Sequence, residues 1–152
     1  VLVPGGFGIR GTEGKILAAK YCRENKVPYF GICLGMQIMC IEYMRHISKE
    51  NRYTSEEFDE DNQFGEQYHV ISFLPGQHKD KEKGGTLRLG TYPCKLAKDS
   101  ISRSLYKEEL VQTKDHPFMV GCQFHPEFLS RPHLPHPLFK GFITASIKHQ
   151  IG

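Results

Sequence analysis

Hydrophobic and polar positions along this chain switch repeatedly between a short-period and a helical pattern. Val27-Pro28-Tyr29-Phe30-Gly31-Ile32 is a compact apolar run and reads as a short buried strand. From Leu34 the spacing becomes helical: Leu34, Ile38, Ile41 and Met44 or Arg45 fall near one stripe, with Met39 and Tyr43 beside it. Val1–Val3 reads as a strand, and Thr12 is placed to N-cap a helix running to about Asn25. Residues 48–67 are polar and acidic, the composition of a surface loop, and Tyr68–Leu74 alternates as a strand. Gly76–Gly85 reads as a charged hairpin or insertion, Thr86–Leu89 and Tyr92–Ala97 as short strands, and Ser102–Glu109 as a helix. Phe118, Val120, Cys122 and Phe124 share one face of a further strand. Pro132, Pro135 and Pro137 then mark a loop, and Leu138, Phe139, Phe142 and Ile143 face one side of a closing helix. No internal repeat is present. Strands alternating with helices predict an α/β fold: an open, mostly parallel sheet with helices on both faces and an antiparallel extension from the middle strands.

One junction in this pattern carries chemistry. In Gly31-Ile32-Cys33-Leu34-Gly35 a cysteine lies between two glycines where strand gives way to helix. Such a turn is crowded, and glycine on each side removes β-carbons that would clash, as in the G-x-S-x-G elbow of serine hydrolases. The turn puts the sulfur at a helix N-terminus, where the dipole favours a thiolate. It also frees the backbone N–H of Leu34 to face a developing oxyanion. Most free cysteines are small buried hydrophobes, and that reading suits Cys22, Cys40, Cys94 and Cys122. Cys33 differs from them in its glycine flanks and its place at the junction.

A base and an acid come ninety residues later, in His125-Pro126-Glu127. Both residues have the parity opposite to Phe118, Val120, Cys122 and Phe124, so in an extended chain they project the same way. Pro126 biases His125 toward extended backbone, and the chain leaves the sheet at a strand end, where open α/β sheets place their sites. Glu127 can then bond one ring nitrogen of His125 and leave the other toward the sulfur. By itself the tripeptide is a weak signal, equally at home in a Pro-rich surface loop of a chain with eight histidines. Its weight comes from the cysteine elbow: together they supply a nucleophile, a proton acceptor and an orienting acid. Zinc on His125, His133 and His136 is the competing reading, but no Cys-x-x-Cys or His-x-x-x-His spacing accompanies them, so no metal site is expected. The glycines at 5, 6 and 8 fit neither phosphate-loop spacing, and a turn that brings backbone N–H groups to an oxyanion explains them better.

Bulk properties exclude other classes. A length of 152 residues suits one domain with one core. The net charge of +3 and the lack of a basic stripe interleaved with aromatics argue against a nucleic-acid partner. No apolar run approaches membrane-spanning length and no signal-peptide pattern appears. Five cysteines without paired spacing point to a reducing compartment, and the expected location is cytoplasmic.

Gly-Ile-Cys-Leu-Gly-Met-Gln at 31–37 with His-Pro-Glu-Phe at 125–128 resembles the class I, triad-type glutamine amidotransferase domain, whose fold is flavodoxin-like. Val3-Pro4-Gly5-Gly6-Phe7-Gly8 with Arg10-Gly11-Thr12-Glu13-Gly14, Gly84-Gly85-Thr86-Leu87-Arg88-Leu89-Gly90, and Gln123 to Phe128 narrow the resemblance to the glutaminase domain of the CTP synthase family. It runs from the first residue to about Ile147 and is thin between residues 48 and 83. The resemblance implies hydrolysis of L-glutamine through a thioester on Cys33, with His125 and Glu127 completing the triad. The ammonia would pass to a separate synthetase domain that aminates UTP to CTP. It further implies oxyanion amides from Gly6 and Leu34, and contacts to glutamine from Gln37 and Glu57. Glu57 lies in an acidic run (Glu56, Glu57, Asp59, Glu60, Asp61) that composition alone would leave as a solvated loop. No cofactor is implied for this domain. The resemblance implies ATP and Mg in the synthetase domain, GTP as an allosteric activator, and a homo-oligomeric parent enzyme, with the fragment itself expected to be monomeric.

The sequence departs from the family in two places. Family members carry an Arg- and His-rich stretch before the last central strand, with an Arg that holds the glutamine carboxylate. Here Leu110-Val111-Gln112-Thr113-Lys114-Asp115-His116-Pro117 runs almost directly into that strand. The expectation is residues 1–152 as one glutaminase domain, lacking an internal segment near 110–114, its first strand and the synthetase domain. Two other readings share these residues: another amidotransferase or γ-glutamyl hydrolase on the same fold, and a catalytically silent regulatory module. A complete set of Cys33, His125 and Glu127 argues against silence.

Overall fold

The computed structural model describes residues 1–73, 111–112 and 115–152. In chain order its elements are β1 (Leu2–Val3), α1 (Thr12–Asn25), β2 (Tyr29–Ile32), α2 (Leu34–Ser48), β3 (Thr54–Ser55), β4 (His69–Ile71), β5 (Val111–Gln112), β6 (Met119–Cys122) and α3 (Pro137–Ile151). The hairpin, strands and helix expected between Gly76 and Glu109, including the Gly84–Gly90 stretch, lie outside the described residues, as do residues 113 and 114.

A four-stranded sheet of order β1-β2-β6-β5 organises the chain. β1, β2 and β6 are parallel, and β5 adds an antiparallel edge against β6. This is the mixed, mostly parallel α/β sheet the sequence pattern predicts. Tyr29 pairs with Met119 and Ile32 with Cys122, so β2 and β6 end at the same level. All four residues of each of these two strands are buried, which explains why Val27–Ile32 reads as an unbroken apolar run.

Alternation sorts the side chains to two faces. Val3, Tyr29 and Met119 meet Ile16, Ala19 and Cys22 of α1 and Leu34, Ile38, Met39 and Ile41 of α2. Phe30, Ile32, Phe118, Val120 and Cys122 meet Leu138 of α3, with Phe139, Phe142 and Ala145 at the margin. Phe30 lies edge-on to Phe139 at 5.4 Å and to Phe118 at 6.4 Å. Burial of each such ring stabilises the fold by about 2–3 kcal/mol. α1 and α2 are also joined by ion pairs: Arg23 grips the buried Glu42 at 2.8 Å, and Arg45 reaches Glu13 at 2.8 Å.

Four local expectations need correction. Thr12 is the first helical residue rather than the cap. Gly11 occupies the cap with φ 73°, and the Thr12 hydroxyl donates to the Ile9 carbonyl. Residues 48–67 are not a free surface loop: Thr54, Ser55, Phe58 and Asp59 are buried, and β3 pairs in parallel with β4. Burial follows from pairing, because Asp59 accepts from Gln63 N–H at 2.7 Å and meets His69 Nε2 at 2.9 Å. Tyr68 belongs to a 3₁₀ turn over Glu66–Tyr68, and the strand is limited to His69–Ile71. Ile143 is 54% exposed, since the helical period takes Phe139, Phe142 and Ala145 inward instead.

Candidate functional site

Cys33 stands between β2 and α2 with φ 52° and ψ −106°, a backbone conformation that L-residues adopt only when the surroundings impose it. Several contacts impose it here. Its N–H donates to the Cys122 carbonyl at 2.7 Å, and its own carbonyl accepts from Met36 N–H at 3.0 Å and Gln37 N–H at 3.2 Å. The flanking glycines are sterically required. A β-carbon on Gly31 would lie 2.5 Å from the Gly35 carbonyl group, and one on Gly35 would collide with the Val3 carbonyl oxygen. The elbow is therefore built as its glycine spacing predicts.

His125 and Glu127 reach each other by a different route from the extended chain expected of them. Past β6 the backbone turns into a 3₁₀ segment over Pro126–Phe128, with His125 just before it. That turn brings His125 Nδ1 to 2.6 Å from Glu127 Oε1. Phe128 then folds back so that its ring stacks on the imidazole at 5.3 Å and 19°. Glu127 fixes one nitrogen and Phe128 one face of the ring, which leaves Nε2 as the nitrogen available for proton transfer.

Pro4, Gly5, Gly6, Phe7, Cys33, His125, Glu127 and Phe128 line a single open cavity of about 270 Å³. Gly5 is where its two halves meet: a β-carbon there would lie 2.8 Å from His125 Cε1 and 3.5 Å from Cys33 Cβ. The glycine loop thus packs directly across nucleophile and base. The loop is held from behind by Glu57, whose Oε1 accepts the Gly8 N–H at 2.7 Å, and Gly8 needs its φ of +80° to make that turn.

The electrostatics of Cys33 differ from the helix-dipole expectation. Burial pushes its thiol up, the Leu34 N–H and the Gln123 amide pull it down, and the Glu127 and Glu57 carboxylates push it up again. The net direction is upward, because desolvation of a sulfur anion outweighs the two N–H donors. Burial thus favours the thiol form, and attack calls for a base that takes its proton. Among the described residues, the side-chain hydrogen bond to the sulfur comes from Gln123, at 3.5 Å.

The structure therefore brings together Cys33, His125, Glu127 and Gly6 around one cavity, with the Leu34 N–H on the sulfur. Gln37 and Glu57 stand one step back: Gln37 donates to Gln123 Oε1 at 3.3 Å, and Glu57 braces the glycine loop. Sequence reasoning missed Gln123 and Phe128. Both adjoin His125, but nothing in their local pattern announces a contact. Among the described residues, no group of three His, Cys, Asp or Glu side chains is arranged to hold a metal, and no helix is long and apolar enough to cross a membrane.

A thiol, an imidazole oriented by a carboxylate, and backbone amides around one cavity suit acyl transfer from an amide. Comparison with known proteins narrows this. The family model described as glutamine amidotransferase class-I matches residues 1–145. A CTP synthase of Bacillus velezensis is 44% identical over 186 residues, covering 97% of this chain and 34% of the relative. One of Clostridium kluyveri is 43% identical over 190 residues, covering 99% of this chain and 35% of the relative. This chain thus spans about a third of the length of the curated relatives it matches. A solved structure of a Trypanosoma brucei CTPS glutaminase domain with bound acivicin superposes with a TM-score of 0.74 at 27% identity, covering 97% of this chain and 70% of that one.

Proposed function

This chain belongs to the class I glutamine amidotransferase family, and on that footing we propose that it is the glutaminase portion of a CTP synthase, hydrolysing L-glutamine to glutamate and ammonia. The observation that carries the reading is Cys33, strained at a strand-to-helix turn, sharing one cavity with a histidine whose Nδ1 is held by Glu127 at 2.6 Å.

In this reading His125 Nε2 takes the Cys33 proton and the sulfur attacks the side-chain carboxamide carbon of glutamine. The oxyanion lies against the Leu34 N–H and the Gly6 N–H. His125 returns its proton to the departing nitrogen, ammonia leaves, and a γ-glutamyl thioester remains on Cys33. Water, deprotonated by His125, attacks the thioester carbon, and glutamate leaves as the thiol is restored. In the same reading Gln37 and Glu57 contact the glutamine from one step behind the residues that line the cavity. Relatives named CTP synthase, of which this chain matches about a third, support a synthetase portion elsewhere that uses the ammonia with ATP and Mg to aminate UTP. The relatives' alignment of 186 residues exceeds the whole 152-residue chain, which supports an internal segment present in them and absent here. GTP as an activator and a homo-oligomeric parent belong to the same proposal.

The test is release of glutamate from L-glutamine by the purified chain, with and without GTP, beside Cys33→Ala. Glutamate release that requires Cys33 supports a glutaminase, and stimulation by GTP supports the CTP synthase assignment. Equal release by wild type and Cys33→Ala would overturn the reading.

A further inference from the structure

Gln123 lies outside every role assigned above, yet its side chain touches the reacting sulfur. The register explains how it gets there. Ile32 and Cys122 are partners in adjacent parallel strands, so the next residue on each, Cys33 and Gln123, leaves the sheet at the same level. The 2.7 Å bond from Cys33 N–H to the Cys122 carbonyl ties the two exits together. The Gln123 carboxamide then bridges two groups. Its Nε2 donates to Cys33 Sγ at 3.5 Å, and its Oε1 accepts from Gln37 Nε2 at 3.3 Å. In this arrangement the oxygen meets a donor on α2 while the NH₂ end faces the sulfur.

We propose that Gln123 is a positioning residue for the nucleophile, its amide N–H, aimed by Gln37, fixing the Cys33 sulfur and favouring its anionic form. The need for such a donor is visible in what else faces the sulfur. Glu127 from the 3₁₀ turn and Glu57 from the segment after β3 both oppose a negative sulfur, the Cys122 thiol lies beside it, and His125 shares the cavity. From the helix side the Leu34 N–H favours the anion. Gln123 adds a second donor from the strand side without adding a charge that could compete for the substrate. An N–H donor strengthens as charge develops on its acceptor, so the contact gains as the thiol ionises. The same geometry gives Gln37 a task beyond the substrate contact proposed for it, that of aligning Gln123.

The inference rests on Cys33 being the nucleophile proposed above, but its test does not require turnover. Iodoacetamide alkylation of Cys33 is followed against pH by peptide mass spectrometry in the wild-type chain, Gln123→Leu and Gln123→Glu. Gln123 is exposed, so both variants are expected to keep the wild-type unfolding midpoint. The alkylation midpoint of Cys33 rises by roughly half a unit to one unit in Gln123→Leu. It rises further in Gln123→Glu, which adds a negative charge in place of the donor. Gln37→Leu shifts it in the same direction by less. Identical midpoints in wild type, Gln123→Leu and Gln123→Glu would overturn the assignment. A chain that shows the shift yet releases no glutamate from glutamine would defeat the proposed function while leaving Gln123 its place on the sulfur.

Discussion

The Glu57 carboxylate accepts the Gly8 backbone N–H at 2.7 Å across forty-nine residues of sequence. One acidic side chain thereby couples the segment after β3 to the glycine loop that carries Gly5 and Gly6 across the cavity. Loss of this brace would loosen the loop as well as any substrate contact. Glu57→Ala is therefore expected to lower kcat and raise KM for glutamine, with kcat/KM down roughly 10- to 100-fold. Glu57→Gln keeps a neutral acceptor for Gly8, so it should recover kcat more than KM. A rise in KM alone in both variants would show that Glu57 has no part in holding the loop.

Glu127 and His125 offer a sharper separation of roles. Glu127→Ala leaves the imidazole its packing against Phe128 and the Gly5 backbone but removes the partner of Nδ1. Proton-transfer steps supported by an oriented histidine are worth roughly 10²- to 10⁴-fold, so kcat should fall by about 10²-fold or more with little change in KM. Steady-state glutamate release measures both. An unchanged kcat would remove Glu127 from the reaction.

Gly35 lies inside a helix, where Gly→Ala normally stabilises by roughly 0.5–1 kcal/mol. Here the sign should reverse. The added methyl would meet the Val3 carbonyl, which is backbone and cannot rotate away. Gly35→Ala is expected to destabilise the chain by about 3 kcal/mol in urea denaturation, against a gain at an open surface glycine such as Gly14. Equal effects at the two positions would contradict the packing described for the elbow.

Asp59 sets a limit on acid stability. Burial alone would raise its carboxyl, but bonds from His69 and from the Gln63 and Phe64 amides outweigh burial and hold it below the usual carboxylate range. A depressed folded value means that the stabilisation is complete above the unfolded value of about 3.9 and is lost as pH falls through the folded one. Asp59→Asn should flatten the loss of stability in that acid window, in urea titrations run across it. An unchanged acid limb would mean that Asp59 is not coupled to unfolding.

These residues also mark how far the sequence alone reaches. The Cys33 elbow is legible because its cause is local: a strand pattern, two glycines and a helical pattern within a few residues. The two-faced sheet is legible for the same reason, since Phe118, Val120 and Cys122 alternate while Tyr29–Ile32 is uniformly apolar. Asp59 and Glu57 are not legible, because an acidic run looks solvated until β3 and β4 pair and Gly8 arrives from a distant loop. Gln123 is hidden similarly. Its meaning comes from the register of Ile32 with Cys122, which pairs residues ninety positions apart. The upward push on the Cys33 thiol is hidden as well, because the dipole can be read from the sequence but the burial around the sulfur cannot.

The central claim is an activated Cys33 in a glutamine-shaped cavity, and covalent labelling tests it most directly. The chain is treated with a glutamine-mimicking electrophile, weighed intact and mapped by peptide mass spectrometry. The account predicts one adduct per chain, on Cys33, slowed by excess L-glutamine, slowed in His125→Ala and absent in Cys33→Ala. No adduct, or labelling scattered over several cysteines and indifferent to glutamine, would contradict it.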